Sequence, residues 1–199
     1  MRFFACLLTA FLGLTALPAG AQEKARPQQD PAPPAREAPR PSTLDELFDR
    51  LSKAESEREA QGIASLIERR FSRSGSDTAD LLLSRATEAF KEKNYPLSIE
   101  LLDRVLVLEP NWAEAWYRRA TLFYQLDDPV GAMADLYQAL KLEPRHFSAW
   151  TGLGHILMAS EDKARALEAF RRALKINPQI EMLQTLVTKL DHEVAGQDL

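Results

Sequence analysis

Three short strings decide the fold of this 199-residue chain: LVLEP at 106–110, LKLEP at 140–144 and LKINP at 174–178. Their prolines, Pro110, Pro144 and Pro178, recur at one constant interval. Four further columns of similar residues keep the same interval: Asn94, Asp128 and Asp162; Ser98, Ala132 and Ala166; Leu102, Leu136 and Phe170; Leu106, Leu140 and Leu174. A fixed period of this length predicts a stack of repeats in which no single unit buries its apolar face alone.

Each copy has the pattern of two helices joined by a short turn. We predict helices at 79–91 and 96–108, at 113–125 and 129–142, and at 147–159 and 163–176. Asn94, Asp128 and Asp162 are placed to accept hydrogen bonds from the first N–H groups of the second helices. The closing prolines cannot continue a helix, so they set the turn into the next copy.

The third copy, 145–178, closely resembles the tetratricopeptide repeat (TPR). It reads Trp150-x-x-Leu153-Gly154-x-x-Leu157, then Ala166-x-x-x-Phe170 and Pro178, with Leu157 where the family has Tyr. The copy at 111–144 keeps much of this pattern, and the copy at 77–110 is weaker. The resemblance implies an all-α fold: a right-handed α-solenoid of tandem helix-turn-helix repeats with capping helices.

Small and aromatic columns predict how the helices of a pair pack. Ala86, Ala120 and Gly154 face Ser98, Ala132 and Ala166, so the two helices can approach closely. Trp116 and Trp150 should fill the neighbouring space. Arg119 replaces the Leu of the pattern, and we expect its methylene stem to lie on apolar surface with the charge outside.

The segments beside the three copies are expected to cap the stack. Residues 42–76 begin with a capping box, Thr43 with Glu46, and continue into a helix at 57–71 with Leu66 on its buried side. Projecting the period back predicts that this segment is a degenerate leading repeat or a cap. At the other end, residues 179–194 form an apolar stripe that includes Met182 and predicts a terminal capping helix, followed by a polar tail at 195–199.

The segment 1–41 has a different composition. Residues 1–21 combine Arg2, an apolar run and small residues ending at Ala21, which favours a secretory signal cut after Ala21, with an uncleaved anchor as the alternative. Cleavage would remove Cys6, the only cysteine. Residues 22–41 hold six of the twelve prolines and predict a disordered tether, with a Pro-rich ligand as the alternative. We therefore expect an exported protein of the bacterial periplasm or a secreted one.

The candidate site follows from the resemblance. In similar arrays, a second stripe on the first helix of each pair, turned by about 100° from the packing stripe, lines a concave groove that holds a partner peptide or helix. Here the candidate partner-binding residues are Leu83, Thr87, Phe90, Tyr117, Arg118, Thr121, Tyr124, Thr151, His155 and Met158. Some of them alternatively pack against the next unit. Only Arg118 suits a carboxylate, so we expect an apolar partner segment instead.

The sequence argues against several other functions. A formal net charge of −4 provides no basic field for nucleic acid. The three histidines, His146, His155 and His192, are not at metal-ligand spacing from one another, and no catalytic or phosphate-binding motif occurs. We expect no metal, no cofactor and no enzyme activity.

The sequence predicts a non-enzymatic protein-interaction scaffold of the bacterial cell envelope. Two alternatives stay open: a structural or assembly subunit whose groove is permanently filled, and an accessory protein of an enzyme. The identity of the partner and the oligomeric state do not follow from the residues.

Overall fold

The computed structural model describes residues 43–195, which form nine helices and no strand. Their bounds are α1 Leu44–Ser52, α2 Glu57–Phe71, α3 Asp77–Lys91, α4 Tyr95–Leu108, α5 Ala113–Gln125, α6 Pro129–Leu142, α7 Phe147–Ala159, α8 Lys163–Ile176 and α9 Glu181–Ala195. The expected all-α solenoid is confirmed. The predicted signal segment, the Pro-rich tether and residues 196–199 lie outside the described residues.

The repeat helices are α3 to α8, and four of them have the bounds that the sequence predicts. Helix α3 begins two residues earlier than expected because Ser76 Oγ accepts a hydrogen bond from the Ala79 N–H at 3.4 Å and caps it there. The helices pack in consecutive pairs, α3 with α4, α5 with α6, and α7 with α8.

The turn inside each pair is built in the same way three times. Asn94, Asp128 and Asp162 each accept a backbone N–H bond at the start of the second helix, as predicted. The residue before each cap is left-handed, with φ of 61°, 61° and 60° at Lys93, Asp127 and Glu161. Because a left-handed residue reverses the chain sharply, the second helix can fold back along the first.

The small-residue column permits the close approach that the sequence predicts. A Cβ on Gly154 would lie 2.8 Å from Cζ of Phe170 and closer still to two other ring atoms. The Phe170 ring is fully buried. In the first repeat, Ser98 Oγ donates to the Ala86 carbonyl at 2.9 Å, so a small polar residue is satisfied inside the same contact.

The turn between repeats is fastened by a bond from the next helix back to the proline. Trp116 Nε1 donates to the Pro110 carbonyl at 2.8 Å, and Trp150 Nε1 donates to the Pro144 carbonyl at 2.9 Å. Gln184, which stands one further period along the chain, donates in the same way to Pro178. The two tryptophans therefore hold the inter-repeat turns as well as filling space, which the sequence did not predict.

The expected position of the Arg119 charge is wrong. Its guanidinium bonds both carboxylate oxygens of Asp135, at 2.7 and 2.9 Å, and reaches Asp103 at 2.7 Å. It also lies over the rings of Trp116 and Phe123. Since Asp135 is buried in α6 and Asp103 belongs to α4, the charge joins two neighbouring repeats instead of facing solvent alone.

The N-terminal hairpin, defined as residues 43–71, is not a leading repeat stacked on α3 and α4. Its apolar cluster draws Phe147, Ile176 and Ile180 from the far end of the array and takes no described residue from α3 or α4. The repeat period predicts packing only for helices that carry the repeat pattern. Helices α1 and α2 pack by their own apolar faces instead, so the predicted leading repeat is wrong.

The capping helix α9 packs on α8, with Leu183 and Leu190 almost fully buried. Two buried-face assignments are wrong: Leu66 is 39% exposed and Met182 is 62% exposed. Each precedes a buried residue, Ile67 or Leu183, and one step along a helix turns a side chain by about 100°.

Gly154→Ala should destabilise the array by about 1–3 kcal/mol, because the new methyl group would overlap the Phe170 ring. Gly62→Ala is the matched control: it lies in α2 with nothing within 4 Å of an added Cβ, and should stabilise by about 0.5–1 kcal/mol. Urea unfolding followed by circular dichroism measures both changes. Equal effects from the two substitutions would contradict the close helix contact.

Candidate functional site

A groove of about 580 Å³ opens between α5 and α7 on the face formed by the first helices of the repeats. Its lining residues share one property, the absence of a formal charge: Tyr117, Ala120, Thr121, Tyr124, Leu136, Phe147, Ser148, Thr151, Gly152, His155, Asn177 and Ile180. We call this cavity the neutral groove. Two tyrosine rings and several hydroxyl groups give it apolar area with scattered hydrogen-bonding positions.

Half of the candidate binding residues lie in the neutral groove: Tyr117, Thr121, Tyr124, Thr151 and His155. Leu83, Thr87 and Arg118 instead line a second cavity of about 710 Å³ along α3, and Phe90 lines a small recess between the two. Leu83 is only 4% exposed and packs in the core of the first repeat. Met158 packs against the core of the second and third repeats.

The second cavity differs from the neutral groove in the charge of its lining. Charged side chains of both signs line it: Arg73, Asp77, Asp80, Glu88, Lys91 and Arg118. We call it the charged cavity. Burial raises the pKa of Asp80, but hydrogen bonds from Ser74 and the nearby Arg73 outweigh this, so the pKa is lowered overall and the carboxylate stays ionised.

The two tyrosines of the neutral groove differ in what holds them. Tyr124 is 49% exposed and lines the groove. Tyr117 is half-buried, and its ring centroid lies 4.6 Å from the ring of His146. Burial raises the pKa of Tyr117. Tyr117 therefore supports the wall of the groove as well as lining it, whereas Tyr124 is free to contact a partner.

A buried polar cluster that the sequence did not predict lies behind Tyr117. His146 and Glu114 are each 2% exposed, and the His146 Nε2 is 3.1 Å from a Glu114 carboxylate oxygen. The other ring nitrogen, Nδ1, accepts the Ala149 N–H at 3.2 Å and caps α7. Because Nδ1 is an acceptor, the ring is the Nε2–H tautomer and donates to Glu114.

Arg118 closes this cluster and separates the two cavities. Its Nε donates to Glu114 Oε1 at 2.6 Å, and its guanidinium carbon lies 5.7 Å from the centroid of the Tyr117 ring. Burial raises the pKa of Glu114, but His146 and Arg118 outweigh this and lower it overall. The charge of Arg118 is therefore already paired, which argues further against a carboxylate clamp.

His155 lies on the floor of the neutral groove. Its ring meets the Phe170 ring edge-on, with centroids 5.1 Å apart, and partial burial lowers its pKa. The ring is therefore neutral near pH 7 and adds no charge to the groove. No group of three or more His, Cys, Asp or Glu side chains among residues 43–195 is placed to hold a metal ion.

None of the helices between residues 43 and 195 is both long and apolar enough to cross a membrane.

Comparison with known families agrees with the geometry. Two tetratricopeptide repeat families match, one over residues 83–141 and the other over residues 123–190, which together span more than half of the chain. A TPR repeat-containing protein of Rhizobium etli is 36% identical over 97 residues, which make up 49% of this chain and 48% of that protein. The chain belongs to the tetratricopeptide repeat family, and it spans about half the length of this curated relative.

Solved structures show the same fold in other settings. The first TPR of Spaghetti (RPAP3), bound to an HSP90 peptide, has a TM-score of 0.57 at 20% identity and covers 60% of this chain and 95% of its own. An O-GlcNAc transferase mutant of Thermobaculum terrenum has a TM-score of 0.52 at 26% identity, covering 57% of this chain and 22% of that one. The fold thus occurs both in a peptide-binding domain and within an enzyme.

Glu114→Gln should lower stability at pH 7 by about 1.5–3 kcal/mol, because it removes the charge from two hydrogen bonds in a buried cluster. The pKa of Glu114 is below its ordinary 4.5 in the folded protein, so the unfolded chain takes up the proton first as the pH falls. The stability difference between the two proteins should therefore shrink below pH 4.5. Urea unfolding over a pH series measures it.

Glu100→Gln provides the control, because Glu100 pairs with Arg104 on the exposed face of α4 and should contribute little. A difference between Glu114→Gln and the parent that stays constant, or grows, on acidification would contradict the assignment of an ionised Glu114.

Proposed function

We propose that the chain is a non-catalytic protein-interaction scaffold that binds an apolar segment, presented as an amphipathic helix, in the neutral groove. The observation that carries this proposal is the lining itself: a large cavity with two tyrosines and no charged side chain among the described residues. Ligand sites are typically concave and mostly apolar with a few polar groups that fix orientation. The peptide-bound TPR neighbour supports the same class of function.

Charge distribution favours an uncharged anchor on the partner. A carboxylate or an ammonium group entering the neutral groove would lose water without gaining an opposite charge, which is costly. An aromatic or aliphatic side chain would gain contact with Tyr124 and Leu136 instead. Helix-in-groove binding by an apolar face is an established mode of recognition and suits this lining.

The charged cavity extends the proposed site in one direction. Arg118 stands at the boundary, since it lines the charged cavity and packs on Tyr117 of the neutral groove. A partner longer than the neutral groove would therefore place polar or charged residues over α3. We propose that its apolar anchor binds between α5 and α7 and that its polar end lies along α3.

Tyr124→Ala should weaken binding of a fluorescent model peptide with a Leu and Phe face by about tenfold, as loss of an interface aromatic anchor does. Tyr137→Ala is the matched control: both tyrosines are 49% exposed, but Tyr137 lies on α6 outside the groove lining. Fluorescence anisotropy measures affinity, and circular dichroism verifies folding. Equal affinities for the two variants would refute the groove as the binding site.

We also propose that the chain acts in the bacterial envelope after export, which rests on the order of Arg2, the apolar run at 3–17 and the small residues ending at Ala21. Expression of the full chain in a bacterial host should yield a periplasmic protein that begins at Gln22. Intact-mass spectrometry of the fractions measures this. Recovery of a chain that retains Met1, in the cytoplasm or in the membrane, would contradict the proposal.

A further inference from the structure

The N-terminal hairpin lies along one column of the repeats. Trp112, His146 and Ile180 are separated by one repeat period each, and they precede the first helices of successive units. Each contacts the hairpin: Trp112 Nε1 donates to the Phe71 carbonyl at 2.7 Å, His146 stacks on the Phe71 ring at 4.9 Å, and Ile180 packs in the hairpin cluster. We call this column the turn strip.

The turn strip contacts the hairpin at three successive repeats. A repeated column of equivalent positions makes one continuous surface along the stack, and the hairpin runs over three successive turns of it. Two polar contacts lie beside the strip: Arg145 pairs with Asp45 at 2.6 Å, and Gln179 donates to the Ala54 carbonyl at 2.8 Å. All these contacts join parts of the chain that are far apart in sequence.

Most of the buried residues in the hairpin cluster belong to the hairpin itself. Seven of the eight buried members of its cluster are its own: Leu47, Phe48, Leu51, Ala54, Ala60, Ile63 and Ile67. Only Phe147 comes from the array as a buried member. The hairpin therefore has an apolar cluster of its own that is continued by the array, which is the composition expected of an exchangeable unit.

A short linker, Ser72–Ser76, is the covalent connection between the hairpin and α3. Gly75 has φ of 94°, and both the N–H and the Oγ of Ser74 bond Asp80 at 2.7 Å. The linker thus directs the hairpin back over its own array. If it opened, the same hairpin would reach an identical strip on another molecule.

We propose that the hairpin is an exchangeable module, so that the turn strip of one chain takes the hairpin of a second copy and a reciprocal dimer forms. The hairpin–strip contacts are the same in the closed monomer and the exchanged dimer, so the two differ chiefly in the linker and in concentration. For a short linker the effective concentration of the attached hairpin is on the order of mM. The monomer therefore dominates at low protein concentration, and the fraction of dimer rises as the protein concentration approaches the effective concentration of the attached hairpin.

Exchange would also affect the proposed binding site. Phe147 and Ile180 contact the hairpin and also line the neutral groove, so the hairpin borders that groove. An exchanged dimer carries two such grooves on one particle. Each groove is then bordered by the hairpin of the other chain.

The first test shortens the linker in the otherwise complete chain. Deletion of residues 73–75 removes about 10 Å of reach, so the hairpin can no longer return to its own strip. Light scattering after size exclusion should then show a dimer at concentrations where the parent is a monomer. A folded, monomeric deletion variant would overturn the proposal.

The second test uses the linker unchanged and decides the matter even if the deletion variant fails to fold. Chains carrying Asp45→Cys and chains carrying Arg145→Cys, both with Cys6→Ser, are mixed at high concentration and treated with a bis-maleimide. Exchange predicts a cross-linked heterodimer because the two positions meet across the hairpin–strip contact. A mixture in which Arg104→Cys replaces Arg145→Cys gives the collision background, and a yield no greater than this background would overturn the proposal.

Discussion

The contact between Gly154 and the Phe170 ring shows the constraint on which the rest of the structure depends: the two helices of a pair must approach closely. A side chain at this crossing would push the pair apart, and every later contact would shift with it. Because the crossing is tight, the first helices of neighbouring repeats lie side by side and expose one common face. The neutral groove between α5 and α7 is a part of that face.

Polar groups at the turns have two structural roles: they fasten the turns between repeats, and they hold the hairpin. The prolines end the second helices, and their carbonyls accept bonds from Trp116 and Trp150, which fasten the turns between repeats. The residues that follow the prolines then form a strip along the stack. Trp112 and His146 hold the hairpin there by a hydrogen bond and a ring contact, while Glu114 accepts hydrogen bonds from both His146 and Arg118.

The fold of the repeats could be predicted from the sequence because its determinants are local and periodic. The caps at Asn94, Asp128 and Asp162 and the small column at Gly154 act within one helix pair, so a single copy contains the required information. The position of the hairpin could not be predicted this way. Its contacts with Arg145 and Gln179 join opposite ends of the described chain, and no periodic signal connects them. The sequence also did not predict two charged contacts, that of Arg119 with Asp135 and that of Glu114 with His146. Each contact joins two different elements and occurs only once, so no repeated column of residues identifies the partners.

The central claim is that the hairpin rests on the turn strip and leaves the neutral groove open. The most direct measurement is the set of nuclear Overhauser effects from the Phe71 and Phe48 ring protons in the folded chain. We predict cross-peaks from Phe71 to the His146 ring and from the Phe48 and Phe147 cluster to Ile180. Cross-peaks from these rings to the side chains of α3 and α4 instead would show a leading repeat and contradict the account.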